Sequence, residues 1–175
     1  AEMGLLRQWD RLPPRFPLMM TAALAVTLIG AASSLGRRVA ATTPVAALVG
    51  YQAFRLPLEL VMHHAATIGL MPVQMSYSGR NLDIVTGALA VPVALLAAAG
   101  HAPRALIRAW NLLGLALLLN IVIIAVVSLP AFAAFGPDRL NTWVADVPYV
   151  WLPGVLVPAA WFGHIVTFRK IWSRA

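Results

Sequence analysis

The stretch Ala41–Leu70, ATTPVAALVGYQAFRLPLELVMHHAATIGL, decides how this chain is read. It is long and apolar enough to cross a bilayer, which takes ~20 residues, yet it carries Arg55, Glu59 and His63 at four-residue intervals. On a helix each such step rotates only ~40°, so the three side chains stack on one face. Ionisable groups in hydrocarbon are costly unless they face protein, a partner or water. The stripe must therefore point inward, and the chain reads as an integral membrane protein with a polar seam.

The rest of the sequence agrees. At 61% hydrophobic and 11% charged residues it lies outside the range of soluble domains, and 175 residues form a single domain with no room for a soluble one beside it. The net charge of +7 does not indicate nucleic acid, because the basic residues cluster between apolar segments, where lipid headgroups are the natural partners. Cysteine is absent, which removes disulfides, thiolate metal sites and a Cys nucleophile. Abundant alanine, with Lys170 the one lysine among 13 basic residues, suggests a bacterial protein from a GC-rich genome.

Five apolar segments, about 17–35, 44–68, 82–99, 109–129 and 147–168, are bounded by charge, Pro or Gly. The expected fold is an all-α, polytopic transmembrane helical bundle of about five spans in a bacterial cytoplasmic (inner) membrane. The first segment, preceded by Arg7, Arg11 and Arg15, also resembles a signal peptide; it is counted as a retained span. Arg37, Arg38, Arg104, Arg108, Arg169, Lys170 and Arg174 share one side of this topology, which puts the N-terminus outside and the C-terminus in the cytoplasm. Arg7, Arg11 and Arg15 argue the reverse. Trp9, Trp110, Trp143, Trp151 and Trp172 fall near span ends, as an interfacial aromatic belt would. Pro57, Pro153 and Pro158 predict kinks in the second and fifth helices.

The polar residues fall into two groups. Arg55, Glu59 and His63, with Asn111 and Asn120, form an expected intramembrane polar cluster. Gln74, Arg80, Asn81, Asp83 and Asp146, with Asp138, Arg139 and Asn141, gather in the loops at the exterior end. One reading is a water-accessible polar pocket beneath those loops. The plainer one is an Arg55–Glu59 pair that, with Asn and Gln partners, locks helix packing. Glu59 and His63 could supply two ligands to a metal, with Asp83 or Asp146 a third, but no metal-binding spacing appears and no metal site is expected. His101 and His164 each follow an alanine one turn earlier, the spacing by which light-harvesting polypeptides ligate a pigment; in so alanine-rich a chain chance supplies that match, and interfacial histidines solvated by headgroups are the plainer reading. His63 and His164 lie at different depths, too far apart to share a haem iron. No GxSxG, Walker or Rossmann pattern is present, and nothing suggests the matched halves of a carrier.

The runs Phe54-Arg55-Leu56-Pro57-Leu58-Glu59, Met71-Pro72-Val73-Gln74-Met75, Gly79-Arg80-Asn81, Ala109-Trp110-Asn111-Leu112-Leu113-Gly114 and Val150-Trp151-Leu152-Pro153 resemble a family of bacterial multi-pass inner-membrane proteins of uncharacterised activity. The likeness covers Tyr51 to about Phe168. It implies a bundle of the last four helices and no transferable function.

Three functions are expected from these features. The first is a non-catalytic accessory subunit packed against a larger membrane complex, resting on small size, missing reaction motifs and small-residue helix faces such as Ala23, Thr27, Gly30, Ala31 and Ser34. The second is a small transporter or intramembrane enzyme using a pocket around Arg55, Glu59 and His63. The third is a pigment- or haem-binding subunit using His101 or His164. Membrane lipids and other membrane subunits are the expected partners.

Overall fold

Pro14 and Pro17 flank the first turn of helix α1 (Arg15–Ala32), where a missing backbone N–H costs nothing. The computed structural model describes residues 4–9 and 14–172; Arg11 and Arg174 lie outside the described residues. Ser33 then adopts an extended conformation and its hydroxyl accepts from the Leu35 N–H. This serine cap ends α1 and starts α2 (Ser34–Thr42). The expected first span therefore breaks at Ser33, and Arg37 and Arg38 lie on a helix of their own.

The central stretch forms α3 (Val45–Thr67), tightened to a 3-10 turn at Gln52–Phe54 ahead of Pro57, which has no N–H to give. Helix α4 (Ile84–Ala98) and helix α5 (Arg104–Val127) follow. The last helix enters through a π-helical turn, Leu152–Leu156, and continues as α6 (Val157–Trp172). Pro153 lies in that widened turn and Pro158 just beyond it, the kind of ladder defect that marks bends and functional sites.

Among the described residues there is no strand, and three helices, α1, α3 and α5, are long and apolar enough to cross a membrane. Helix α4, at 15 residues, rises ~22 Å, short of a ~30 Å core. Helix α6 has 16 residues beyond the π turn. Only 11% of the α1 span is buried, and Val26 and Ile29 are 71% and 69% exposed. So much outward apolar surface calls for a non-aqueous surrounding.

Helix α6 is the hub, packed against α1, α2, α3 and α5, while α4 packs against α3 and α5. On α1 only Phe16 and Ala31 are buried, at 2% and 0% exposure. Trp110 and Trp143, read as interfacial from sequence, are 3% and 8% exposed and belong to the packed interior. Trp110 donates its indole N–H to the Thr86 carbonyl, 3.3 Å away.

Helices α3 and α4 meet through Gly87, where an added Cβ would lie 2.5 Å from the Leu56 nitrogen and 3.0 Å from the Arg55 carbonyl carbon. Backbone cannot move aside as a side chain can, so Gly87→Ala is expected to cost about 1–3 kcal/mol. At Gly30 an added Cβ meets nothing within 4 Å, so Gly30→Ala should stay within ~0.5 kcal/mol of the parent. Thermal melting of both variants in one detergent tests the contrast; equal losses would place the close contact elsewhere.

Candidate functional site: a buried polar chain beside an apolar cavity

Arg55 leaves α3 just after the 3-10 turn and is 1% exposed. Its Nε donates to Asp83 Oδ2 at 2.6 Å, and a second guanidinium nitrogen pairs with Asp83 Oδ1, a two-pronged grip on the carboxylate. Its Nη1 lies 2.9 Å from His164 Nε2. Arginine can only donate, so Nε2 is the acceptor and the imidazole proton sits on Nδ1. That N–H donates to Asn111 Oδ1 at 2.9 Å, and the Asn111 amide returns a bond to the His164 carbonyl at 3.3 Å.

Glu59, one turn on, is 2% exposed. Both its oxygens accept from the single Asn81 Nδ2, at 2.9 and 2.8 Å. Asn81 also donates to the Met75 carbonyl at 3.0 Å and accepts from the Asp83 N–H at 3.1 Å. One chain of polar contacts therefore runs Glu59–Asn81–Asp83–Arg55–His164–Asn111, joining α3, the loop before α4, α6 and α5. Asp83 carries the only ion pair to Arg55 among the described residues; Glu59 has no cation bonded to it.

The sequence-derived clusters are redistributed by this geometry. Arg55 and Glu59 are interior but are not bonded to each other. Asn111 enters the chain through His164, and Asn81 and Asp83 enter it from the loop. His63 stands apart, bonded to the Ser76 hydroxyl at 3.1 Å and stacked on Tyr77 at 4.2 Å. Asn120 donates to the Arg80 carbonyl at 2.9 Å, and the Arg80 guanidinium lies over Phe135 at 5.3 Å. Gln74 donates to Ser128 Oγ and the Arg139 carbonyl, at 3.2 and 2.8 Å, tying the loop before α4 to the end of α5 and the loop after it. Asp146 is at the surface, gripped by Arg7; its carboxylate raises the Arg7 pKa further above an already high value. Such an exposed pair contributes little to stability.

His164 is no interfacial residue: it is fully buried because α6 continues two turns beyond it to Trp172. Both ring nitrogens are taken by Arg55 and Asn111, and an added Cβ at Gly114 would overlap its ring. Both polar atoms of the His164 ring are thus engaged within the protein. His101 is exposed beyond the end of α4. Among the described residues no three His, Asp or Glu side chains gather closely enough to hold a metal ion.

The polar chain borders a cavity of about 80 Å³. Phe16 and Met20 of α1, Leu58 and Met62 of α3, Leu118 and Ala125 of α5, and Leu152 and Pro153 of the π turn supply its apolar walls. Arg55, Glu59, Asn81 and Asp83 also line it, as do Asn141 and Trp143 from the loop after α5. Asn141 uses its amide N–H on the Ala125 carbonyl at 3.2 Å, while its Oδ1 is buried without a partner; the buried Trp143 Nε1 also has none. Both belong to a loop without periodicity, so sequence reading had no means of placing Trp143 at the cavity. Comparison with family models, curated proteins and solved structures gave no match.

Proposed function

We propose that this is a polytopic membrane protein that holds a small amphiphile, an apolar body with a hydrogen-bonding head, in the cavity between α1, α3, α5 and the π turn. The observation that carries the reading is an apolar cavity whose lining includes Asn141 and Trp143, residues whose Oδ1 and Nε1 are buried without a hydrogen-bond partner. Buried polar groups are rarely left unsatisfied, and each exception calls for a water or a ligand. Asn141 Oδ1 accepts and Trp143 Nε1 donates, the two roles that a hydroxyl head complements. Glu59, bound only by one amide nitrogen, keeps lone pairs for a second donor. An apolar pocket with a few convergent polar groups is the ordinary form of a small-molecule site. At about 80 Å³ it exceeds the ~15 Å³ that one water needs.

In this reading α4, and α6 with its π turn, complete five crossings of a bacterial inner membrane. Arg37, Arg38, Arg104, Arg108, Arg169 and Lys170 lie at the cytoplasmic end and the cavity's loops outside. The accessory-subunit reading keeps the outward apolar face of α1 in its favour, but lipid covers such a face equally well.

Photolabelling in membranes with a medium-chain alcohol that carries a diazirine tests the proposal. Adducts are expected on Met62, Leu118 and Leu129, to be displaced by the unlabelled alcohol and not by the alkane of equal length. Trp143→Phe should lower labelling about fivefold, the equivalent of one hydrogen bond at ~1 kcal/mol. Adducts confined to outward positions such as Val26 and Ile29, or equal competition by the alkane, would overturn it.

A further inference from the structure

A second recess, of about 830 Å³, lies at the opposite end of the molecule between α2 and the last turns of α6. Arg37, Arg38, Arg169 and Lys170 all line it. Arg169 donates to the carbonyls of Ala31 and Ser33, the latter at 3.0 Å, and Lys170 Nζ to the Ala40 carbonyl at 2.7 Å. These are the last carbonyls of α1 and α2, the negative ends of their dipoles, so two cations are pinned at the groove's edge. Arg37 and Arg38 are exposed. The remaining wall is aromatic: Phe168 and Trp172 stack at 4.1 Å, and the Arg108 guanidinium lies 5.0 Å from the Trp172 ring. None of the carboxylates among the described residues (Glu59, Asp83, Asp138 and Asp146) lines the recess. Cations beside stacked aromatics at the end of membrane-length helices match the two halves of a lipid's interfacial region, phosphate and glycerol ester.

We infer that this groove is a site for the headgroup of an anionic phospholipid. The phosphate meets Arg37 and Arg38 through charge-assisted bonds, and the glycerol backbone rests on Phe168 and Trp172. The site is independent of the cavity and of its ligand.

Native mass spectrometry of the full chain in detergent, with phosphatidylglycerol or phosphatidylcholine of matched acyl chains added, tests this. Phosphatidylglycerol is expected to be retained over phosphatidylcholine. Arg37→Gln with Arg38→Gln should weaken its retention about 30-fold, since each cation near a membrane surface contributes ~1 kcal/mol. Arg139→Gln, which removes an exposed cation at the other end, should leave retention unchanged. Equal retention of the two lipids, or the same loss from Arg139→Gln as from the double variant, would overturn the assignment. Displacement of the lipid by millimolar inorganic phosphate would assign the groove to free phosphate and overturn the lipid as its source.

Discussion

Asp83→Asn is expected to destabilise the protein by about 3 kcal/mol, because it removes the one carboxylate paired directly with the buried Arg55 guanidinium. Adding Arg55→Gln should recover part of that loss, giving a coupling of about 1–3 kcal/mol between the two positions. The same cycle run on Arg55 and Glu59 should give the smaller coupling, since Glu59 is bonded to Asn81 and not to the arginine. Detergent melting of the two sets of variants measures both. A larger coupling to Glu59 would mean that the arginine's real partner lies within its own helix.

Ala125→Leu should act in two directions at once. Ala125 lines the cavity, and the three added carbons occupy space that is otherwise empty. Filling a cavity commonly stabilises by ~0.5–2 kcal/mol, so the variant should melt above the parent. The same carbons stand where the ligand's apolar body belongs, so labelling by the diazirine alcohol should fall to background. A purely structural cavity would give the gain in melting with labelling unchanged. A loss of both would mean the space is already filled by side chains and cannot accept the leucine.

The seam on α3 was legible because four-residue spacing is a local, periodic signal, and the cost of bare charge in hydrocarbon then fixes which way it faces. The partners were not legible. Asp83 reaches Arg55 only because the loop of residues 68–83 folds back so that its end meets the turn where α3 tightens, and no periodicity encodes that return. The expectation that His164 sits at the interface failed on one boundary: the apolar run ends near Phe168, but the helix continues through Arg169 and Lys170, whose cations cap α1 and α2. Arg55 lies two helical turns before His63 and so reaches a depth that His63 does not, which is why His164 meets the arginine. Three of the five expected segments form helices long enough to cross a membrane, and α4, at 15 residues, is shorter. Ser33 divides the first apolar run by a cap, and the π turn at Leu152–Leu156 leaves 16 residues of α6 beyond it. Asn141 and Trp143 were visible only as a polar loop residue and an end-of-span tryptophan. Their shared lack of hydrogen-bond partners is a property of the folded chain alone.

The most direct test of the cavity as a ligand site is a crystal structure grown in a lipidic phase with a medium-chain bromo-alcohol. The account predicts an anomalous bromine peak inside the cavity, among Met62, Leu118 and Leu152, with the hydroxyl within hydrogen-bond reach of both Asn141 Oδ1 and Trp143 Nε1. Bromine found only along the outward faces of α1 and α5, with Asn141 and Trp143 bonded to other protein atoms, would contradict it.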